Sequence, residues 1–249
     1  EVRVIPPSYV KPFVRRGKTD SADAEAICTA VVQPSMRFVP VKTPEQQAVL
    51  MQHRVRDFLV RQQTQLANAI RAHLGEFGIV VAKGVHHIGK LLGEAAGAAL
   101  PEPVITSLDL LARQFMDTQA RIDEVTRQIR EAAERNEQAR LLQTMPGIGP
   151  ITASAIVAHI ADTSAFRTSR DLSAWLGLTP KPHSSGGKHR VGSISKMGNR
   201  YLRRLLYLGA MGVISARRKA GEQNDWLGRI LATKPQGSLN KPFPPAGLD

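Results

Sequence analysis

Apolar residues recur at helical spacing between residues 45 and 77. They are separated by four or seven residues, which places their side chains on one face of an α-helix. The positions that carry this period are Val55, Leu59, Leu66, Ile70 and Phe77. Pro44 stands where a first-turn proline is tolerated, so we predict a helix over residues 45–77.

A heptad repeat over residues 107–137 is the strongest pattern in the chain. Its two series of positions are Leu108, Phe115, Ile122 and Ile129, and Leu111, Thr118, Val125 and Ala132. About four heptads are enough to predict a long coiled-coil-like helix. Its partner is either the 45–77 helix of the same chain or a second copy of the chain, and the sequence leaves both open.

The remaining segments carry weaker patterns. An alanine-rich stretch predicts a helix over 20–32, and a short apolar run before two prolines predicts one strand over 2–5, followed by a basic loop. Residues 78–106 are glycine-rich and weakly patterned, and we expect the adjacent His86 and His87 to be surface or loop residues. The chain is therefore predicted to be mostly α.

The charge balance limits the class of partner. Lys and Arg number 34 and Asp and Glu 21, a formal net charge of +13, which favours a polyanionic partner. The single cysteine, Cys28, excludes an internal disulfide and fits the reducing cytoplasm. No uncharged apolar run approaches the ~18 residues of a membrane span, so we expect no membrane insertion.

Residues 172–221 contain no Asp or Glu and concentrate the positive charge. Their ten cations are Lys181, Lys188, Arg190, Lys196, Arg200, Arg203, Arg204, Arg217, Arg218 and Lys219. Aromatic residues for base stacking are scarce in this stretch, so it predicts contact with the phosphate backbone of nucleic acid. An anionic membrane is a weaker alternative, because the stretch is not one long amphipathic helix with aromatic anchors.

Residues 141–160 read LLQTMPGIGPITASAIVAHI, two apolar helical segments joined by a glycine turn. Gly147 and Gly149 permit a tight turn, and the amides of the turn and of the second helix, which includes Thr152, would form a phosphate site. The string resembles the helix-hairpin-helix DNA-binding motif. An ordinary helix–turn–helix with two glycines is the alternative.

Asp20 and Asp23 are three residues apart, so on a helix both carboxylates share one face. Oxygen ligands at this spacing suit Mg²⁺ or Mn²⁺. The alternative is an N-cap at Asp20 with an exposed Asp23.

Ser184 and Ser185 precede two glycines, which would leave a serine exposed for the approach of a phosphate. Lys188, Arg190 and Lys196 would stabilise the charge that develops on that phosphate. His183 is a candidate base, and Ser193 and Ser195 are expected to form a turn and a helix cap. The alternative is a hydrophilic turn without chemistry.

These motifs occur in the order K-T-D-x-x-D-A, a long helix pair, P-G-I-G-P, T-P-x-x-x-S-S-G-G-K and G-x-I-S-K-x-G-N-x-x-L-R-R-L. This order resembles the DEDD-motif transposase family of bacterial insertion sequences, the RNA-guided bridge recombinases, from about Val10 to Lys219. The residues of the last two motifs that match are Ser185, Gly186, Ile194, Ser195, Lys196, Gly198, Asn199, Leu202 and Arg203.

The resemblance implies a fold and a mechanism. It implies a nuclease domain like the Holliday-junction resolvase, in which Asp, Glu, Asp and Asp hold Mg²⁺, and Asp20 and Asp23 match the last two. It implies that a serine, best matched by Ser185 with Ser184 beside it, forms a covalent link to DNA phosphate in a composite site across a dimer. It also implies a noncoding guide RNA. From the acid-free basic segment and the last motif, we expect nucleic-acid contacts from Lys188, Arg190, Lys196, Asn199, Arg203 and Arg204.

The chain departs from that family pattern at both ends. Nothing matches the first Asp and the Glu, so we expect an N-terminally truncated form that does not catalyse strand exchange. A non-catalytic DNA- or RNA-binding helix-hairpin-helix module is the alternative function.

We predict four divisions of the chain: a nuclease-domain remnant (1–43), a long helical region (44–137), a C-terminal transposase domain (138–231) and a disordered tail (232–249). The C-terminal domain contains the hairpin (141–160) and the serine motif (183–206).

Overall fold

The computed structural model describes residues 2–15, 17, 19–182, 191–220 and 228–229. The prediction of a mostly helical chain is confirmed. Nine α-helices lie in the described part of the chain: α1 (Pro7–Val10), α2 (Asp20–Val31), α3 (Pro44–Gly75), α4 (Ile88–Ala96), α5 (Glu102–Arg135), α6 (Glu137–Gln143), α7 (Pro150–His159), α8 (Ser169–Trp175) and α9 (Arg200–Ala220). Two strands, β1 (Pro180–Pro182) and β2 (Val191–Ile194), form an antiparallel pair. None of the described helices is both long and apolar enough to cross a bilayer.

The two long helices, α3 and α5, pack along each other within the chain. Thr43 begins α3 with a capping box: its hydroxyl accepts from the Gln46 amide at 3.2 Å, and its own amide donates to the Gln46 side chain at 3.1 Å. The core between the helices contains Ile70 and Leu74 from α3 and Phe115 from α5. The intrachain alternative for the helix pair is therefore the one observed.

The buried face of α5 does not follow the heptad repeat to its end. Ile122 and Ile129 of the first series are buried as predicted, and so is Thr118 of the second. Beyond Thr118 the second buried position shifts by one residue, to Thr126 and Ala133, and Ala132 is exposed. The correction has a geometric cause: a straight α-helix has 3.6 residues per turn, so its buried stripe drifts away from a strict seven-residue repeat. Val55 of α3 and Phe77, which lies beyond the end of α3 at Gly75, are likewise exposed, contrary to the predicted face.

Residues 78–106 contain a helix that their glycine content concealed. Helix α4 includes Gly89 and Gly93, yet its Ile88 and Leu91 are fully buried in the core between α3 and α5. His86, in the 3₁₀ turn before α4, is exposed, and His87 is half-buried. Tertiary packing of the apolar face outweighs the weak helix propensity of the glycines here.

The N-terminal segment differs from the predicted strand and basic loop. Among its described residues the predicted strand over 2–5 forms a single bridge, in which the Val39 amide donates to the Val4 carbonyl at 2.7 Å, and helical turns span residues 7–13. Pro7 then begins α1, because a proline has no amide to extend a ladder but fits the first turn of a helix. Helix α2 packs on this turn and buries Ala26 and Ala30.

Helix α7 lies at the centre of the C-terminal half and contacts α3, α5, α6 and α9. Its Ala153 packs with residues of α5 and α6, and its Ala155 packs with Leu176 and Leu202. The small side chains of α7 permit this close packing on several sides. The predicted tail, 232–249, lies outside the described residues.

Candidate nucleic-acid interface

The turn between α6 and α7 is held against α9 by a contact between two glycines. Gly147 has φ +86°, in the left-handed region that favours glycine. A Cβ atom on Gly209 of α9 would lie 1.9 Å from the Gly147 carbonyl oxygen, so the two backbones touch. The structure thus gives Gly147 a packing function in addition to its turn.

Helix α7 begins at the exposed Gly149, which is its N-cap residue. The amide of Ala153 donates to the Gly149 carbonyl at 2.9 Å, so the amides before Ala153 have no partner within the helix. These amides could bind an anion. The side chain of Thr152 is buried, which limits any nucleic-acid contact of this residue to its backbone.

Arg203 was predicted to contact nucleic acid, but its side chain is buried and bonded within the protein. Its guanidinium donates to the carbonyls of Leu176 at 2.7 Å, Lys196 at 3.1 Å and Gly198 at 3.2 Å. The planar fork of arginine can reach several acceptors at once. We therefore correct its assignment: Arg203 ties the loop before α9 to the end of α8.

The same loop approaches α8 more closely than any side chain would allow. A Cβ on Gly198 would lie 1.9 Å from the Trp175 carbonyl oxygen, and Gly177 has φ +71°. Asn199 caps α9, since its side-chain oxygen accepts from the Leu202 amide at 3.0 Å. The predicted cap at Ser195 is therefore wrong, and Asn199 also has a structural function.

The serine pair Ser184 and Ser185 belongs to the segment that connects the paired strands β1 and β2. Pro180 is paired with Ile194 and Pro182 with Val191. The chain between these strand ends is 183–190, which lies outside the described residues. The predicted residues in that segment are His183, Ser184, Ser185, Lys188 and Arg190.

The remaining predicted cations differ in their surroundings. Lys196 and Arg200 are exposed at the loop and the first turn of α9. Lys196 has φ +56°, a left-handed conformation that is unusual for a side-chain-bearing residue. Arg204 is exposed but forms an ion pair with Asp57 of α3, and its guanidinium lies 5.3 Å from the Tyr201 ring centroid.

A buried polar group, which the sequence did not predict, joins α9 to the rest of the fold. His53 of α3 is 1% exposed, and its Nδ1 and Nε2 each lie 3.1 Å from a hydroxyl, that of Tyr201 and that of Ser154. Burial lowers the pKa of His53 to about 4, with smaller contributions from His159 and Arg56. Burial also raises the pKa of Tyr201. A histidine in the buried stripe of α3 is the sequence signal that would have revealed this group.

Asp20 and Asp23 lie in the first turn of α2, and both are exposed. The N-cap is Thr19, whose hydroxyl accepts from the Ala22 amide at 3.2 Å, so the alternative in which Asp20 is the cap is wrong. Carboxylates are suitable ligands for Mg²⁺. Within the described residues, however, no three His, Cys, Asp or Glu side chains come together as a metal site. Two exposed carboxylates on one turn do not fit a complete metal site.

Comparison with known proteins gives the chain a family. The sequence model of the transposase IS116/IS110/IS902 family matches residues 139–224, and the DEDD transposase model of the IS110 type matches residues 1–79. A probable family 20 transposase of Pseudomonas aeruginosa is 44% identical over 239 residues, which cover 94% of this chain and 71% of that protein.

Two transposases named for insertion sequences are also similar. That of IS1328 from Yersinia enterocolitica is 40% identical over 83% of this chain and 62% of its own length. That of IS1111A from Coxiella burnetii is 36% identical over 92% of this chain and 64% of its own length. The class of protein is thus a bacterial insertion-sequence transposase. The chain belongs to the IS110/IS116 transposase family, and it spans between 61% and 71% of the length of four of the relatives that it matches.

Proposed function

We propose that this chain is the DNA-binding and serine-bearing portion of a transposase that cleaves and rejoins DNA. The observation that carries the proposal is the anchoring of the acid-free stretch 172–221 to the fold. Buried Arg203 and the Gly198 contact fix the loop from which Lys196 and Arg200 are presented to solvent. Cations on a rigid scaffold bind phosphates at a lower entropic cost than cations on a loose loop.

The expected mode of binding is contact with the phosphate backbone. The exposed cations Lys196 and Arg200 and the first amides of α7, which have no partner within the helix, are donors to anionic oxygen. Neutralising about six phosphates gives a log–log salt dependence with a slope of about −5. Such binding is largely independent of DNA sequence.

Fluorescence anisotropy with a labelled DNA duplex at several salt concentrations tests this mode. The double variant Lys196→Ala, Arg200→Ala should bind more weakly and should lower the slope by about two, one for each lost phosphate contact. Arg113→Ala is the matched control, because Arg113 is an exposed arginine on α5 paired with Asp109. An equal loss in the control and the double variant would contradict the proposed surface.

For the chemical step, we propose Ser185 as the nucleophile, with Ser184 as the neighbouring candidate. The serine oxygen would form a bond to phosphorus while a sugar oxygen of the DNA strand leaves, which preserves the phosphodiester energy for rejoining. In the family, Mg²⁺ held by carboxylates would activate the nucleophile and stabilise the phosphorane charge. Because Asp20 and Asp23 alone do not form a complete site, we propose that this chain by itself does not exchange strands.

Denaturing electrophoresis after incubation with supercoiled DNA and Mg²⁺ tests this step. The chain should bind DNA and form no covalent adduct. An adduct that is lost in Ser185→Ala would refute the proposed inactivity and support the nucleophile. An adduct that persists in Ser185→Ala and disappears in Ser184→Ala would transfer the role to Ser184.

We also propose a noncoding guide RNA and a homodimer as partners, which would assign sequence choice to base pairing. Cations that contact the phosphate backbone give the protein few means to read bases, which supports assigning sequence choice to the RNA.

The competing function is a non-catalytic DNA- or RNA-binding module. Such a module would form no adduct with DNA even when a longer family member in the same reaction supplies the full set of carboxylates.

A further inference from the structure

A half-open cavity of about 1010 Å³ lies between the N-terminal segment and the α7–α8 region. Four aromatic side chains from distant parts of the sequence line it: Tyr9, Phe38, Phe166 and Trp175. We call this cavity the aromatic groove. Its volume is at the upper end of that of small-molecule sites, so it has room for more than one nucleotide.

The aromatic rings of the groove are accessible and partly fixed in orientation. Trp175 is 38% exposed and Tyr9 is 46% exposed, values that leave a ring surface available to a ligand. Phe166 and Trp175 meet edge to face, with centroids 5.7 Å apart and planes at 68°. Because such a pair holds both rings in place, a planar ligand can stack on them without ordering them first.

Positive charge accompanies the rings. Arg37, Lys42 and Arg167 line the groove, and Arg37 and Arg167 are exposed. A further cation, Arg3, lies with its guanidinium 5.3 Å from the Phe38 ring centroid. Arginine and lysine beside aromatic rings are suited to the phosphates that flank a stacked base.

The two carboxylates of the groove accept local hydrogen bonds. Asp162 accepts from the Ser164 amide at 2.8 Å and from its hydroxyl at 2.6 Å. Asp171 accepts from the Thr168 amide at 3.0 Å as part of the cap of α8. Both acids keep their charge and stabilise the ends of helical turns, and the three lining cations outnumber the two acids.

We propose that the aromatic groove binds unpaired bases of a single-stranded nucleic acid, by stacking on Trp175 and Tyr9 with the phosphates at Arg37 and Arg167. The inference rests on the proposed nucleic-acid function and adds a second site to it. It differs in chemistry from the first site, which consists of Lys196, Arg200 and the first amides of α7: that site offers charge and N–H donors, whereas the groove offers charge and aromatic rings. Single strands expose the base faces that a duplex hides.

Tryptophan fluorescence tests the groove directly. The chain has two tryptophans, so in a Trp226→Phe background the emission reports on Trp175 alone. Titration with a short single-stranded oligothymidylate should quench this emission, and a duplex of the same length should not. Tyr9→Ala and Arg37→Ala should each weaken binding of the single strand by about fivefold or more and leave duplex binding unchanged. Because Arg37 is exposed, we expect Arg37→Ala to fold normally. This variant therefore tests the groove even if Tyr9→Ala fails to fold.

Phe77→Ala is the matched control, since Phe77 is an aromatic residue, 44% exposed, outside the groove. Duplex binding without quenching by the single strand, or equal single-strand affinity in the Tyr9, Arg37 and Phe77 variants, would overturn the groove and leave the proposed DNA-binding function intact. Failure to bind either nucleic acid would overturn both.

Discussion

His53 Nδ1 lies 3.1 Å from the hydroxyl oxygen of Tyr201, a residue 148 positions away in the sequence. The other ring nitrogen lies 3.1 Å from the Ser154 hydroxyl, so one imidazole joins α3, α7 and α9. A neutral imidazole has one donor and one acceptor nitrogen, and two hydroxyls can satisfy it in either tautomer. Helix α9, which follows β2 in the chain, is therefore attached to α3 and α7 through a buried neutral histidine.

Stability should fall in mild acid because of this histidine. The pKa of His53 is about 4 in the folded chain and 6.5 in the reference state, so the unfolded chain takes up the proton first as pH falls. The contribution is complete above pH 6.5 and is lost between pH 6.5 and 4, to a limit of about 3 kcal/mol. His159, whose pKa is also lowered by burial, adds to the loss in the same direction.

Urea unfolding at pH 7 and pH 5 measures this effect. His53→Gln keeps one donor and one acceptor but cannot titrate, so it should reduce the difference in unfolding free energy between the two pH values. His73→Gln, an exposed histidine on the same helix, should retain the full difference. A pH dependence that is the same in both variants would assign the acid sensitivity to another group.

The contact between Gly147 and Gly209 makes a second prediction. Gly209→Ala would place a Cβ atom 1.9 Å from the Gly147 carbonyl oxygen, which forces α9 away from the turn. We expect a loss of about 3 kcal/mol or more, at the severe end for a single substitution. Gly212→Ala, on the same helix, has no atom within 4 Å of the added Cβ and should be neutral or stabilising by up to about 1 kcal/mol.

Thermal unfolding of the two variants, followed by circular dichroism, compares them directly. Equal melting temperatures would mean that α9 does not pack on the turn in solution. The comparison is well controlled because both substitutions replace glycine by the best helix former in the same helix.

The sequence predicted what depends on local spacing. Three helices, 20–32, 45–77 and 107–137, are found within a few residues of their predicted bounds because their apolar period is long or their caps are clear. It did not predict α4, whose burial depends on α3 and α5, or the function of Arg203, which looks the same as Arg204 in a basic string. Arg203 is buried against backbone carbonyls, whereas Arg204 pairs with Asp57. This difference arises from the packing of α8 and α3 against α9, which the local sequence does not show.

The candidate sites were likewise predictable only where their residues are contiguous in the sequence. The turn glycines and the acid-free stretch are visible in the sequence because they are contiguous. The aromatic groove is not, since its rings come from α1, the 33–44 loop and the region around α8. In the sequence Trp175 is one of the few aromatic residues of the acid-free stretch 172–221, and only the fold brings Tyr9 and Phe38 to the same cavity.

Arg203 and Arg200 should therefore respond to substitution in different ways. Arg203→Lys removes the planar fork that reaches three carbonyls, and we expect a loss of about 2–4 kcal/mol of unfolding free energy, as for a buried hydrogen-bonded charge that loses partners. Arg200→Ala should change stability by no more than about 0.5 kcal/mol and should weaken duplex DNA binding.

Denaturant unfolding and DNA anisotropy on both variants separate the two roles. If Arg203→Lys were as stable as the parent chain and bound DNA more weakly, the guanidinium would be a nucleic-acid contact after all. The loop would then open on binding.

The face that α5 buries gives the last prediction. Ala133 is 1% exposed and packs with Ala139 and Ala153, whereas its neighbour Ala132 is exposed. Ala133→Leu adds three carbon atoms to a closely packed contact and should cost about 1–3 kcal/mol. Ala132→Leu, with similar helix propensity at a solvent-facing position, should change stability by no more than about 0.5 kcal/mol. A strict heptad predicts the reverse order, because it places position 132 in the seam. The unfolding free energies of the two variants thus distinguish two structures. A larger loss in Ala133→Leu supports a straight helix whose end packs against α6 and α7, and a larger loss in Ala132→Leu supports a coiled coil that continues to residue 137.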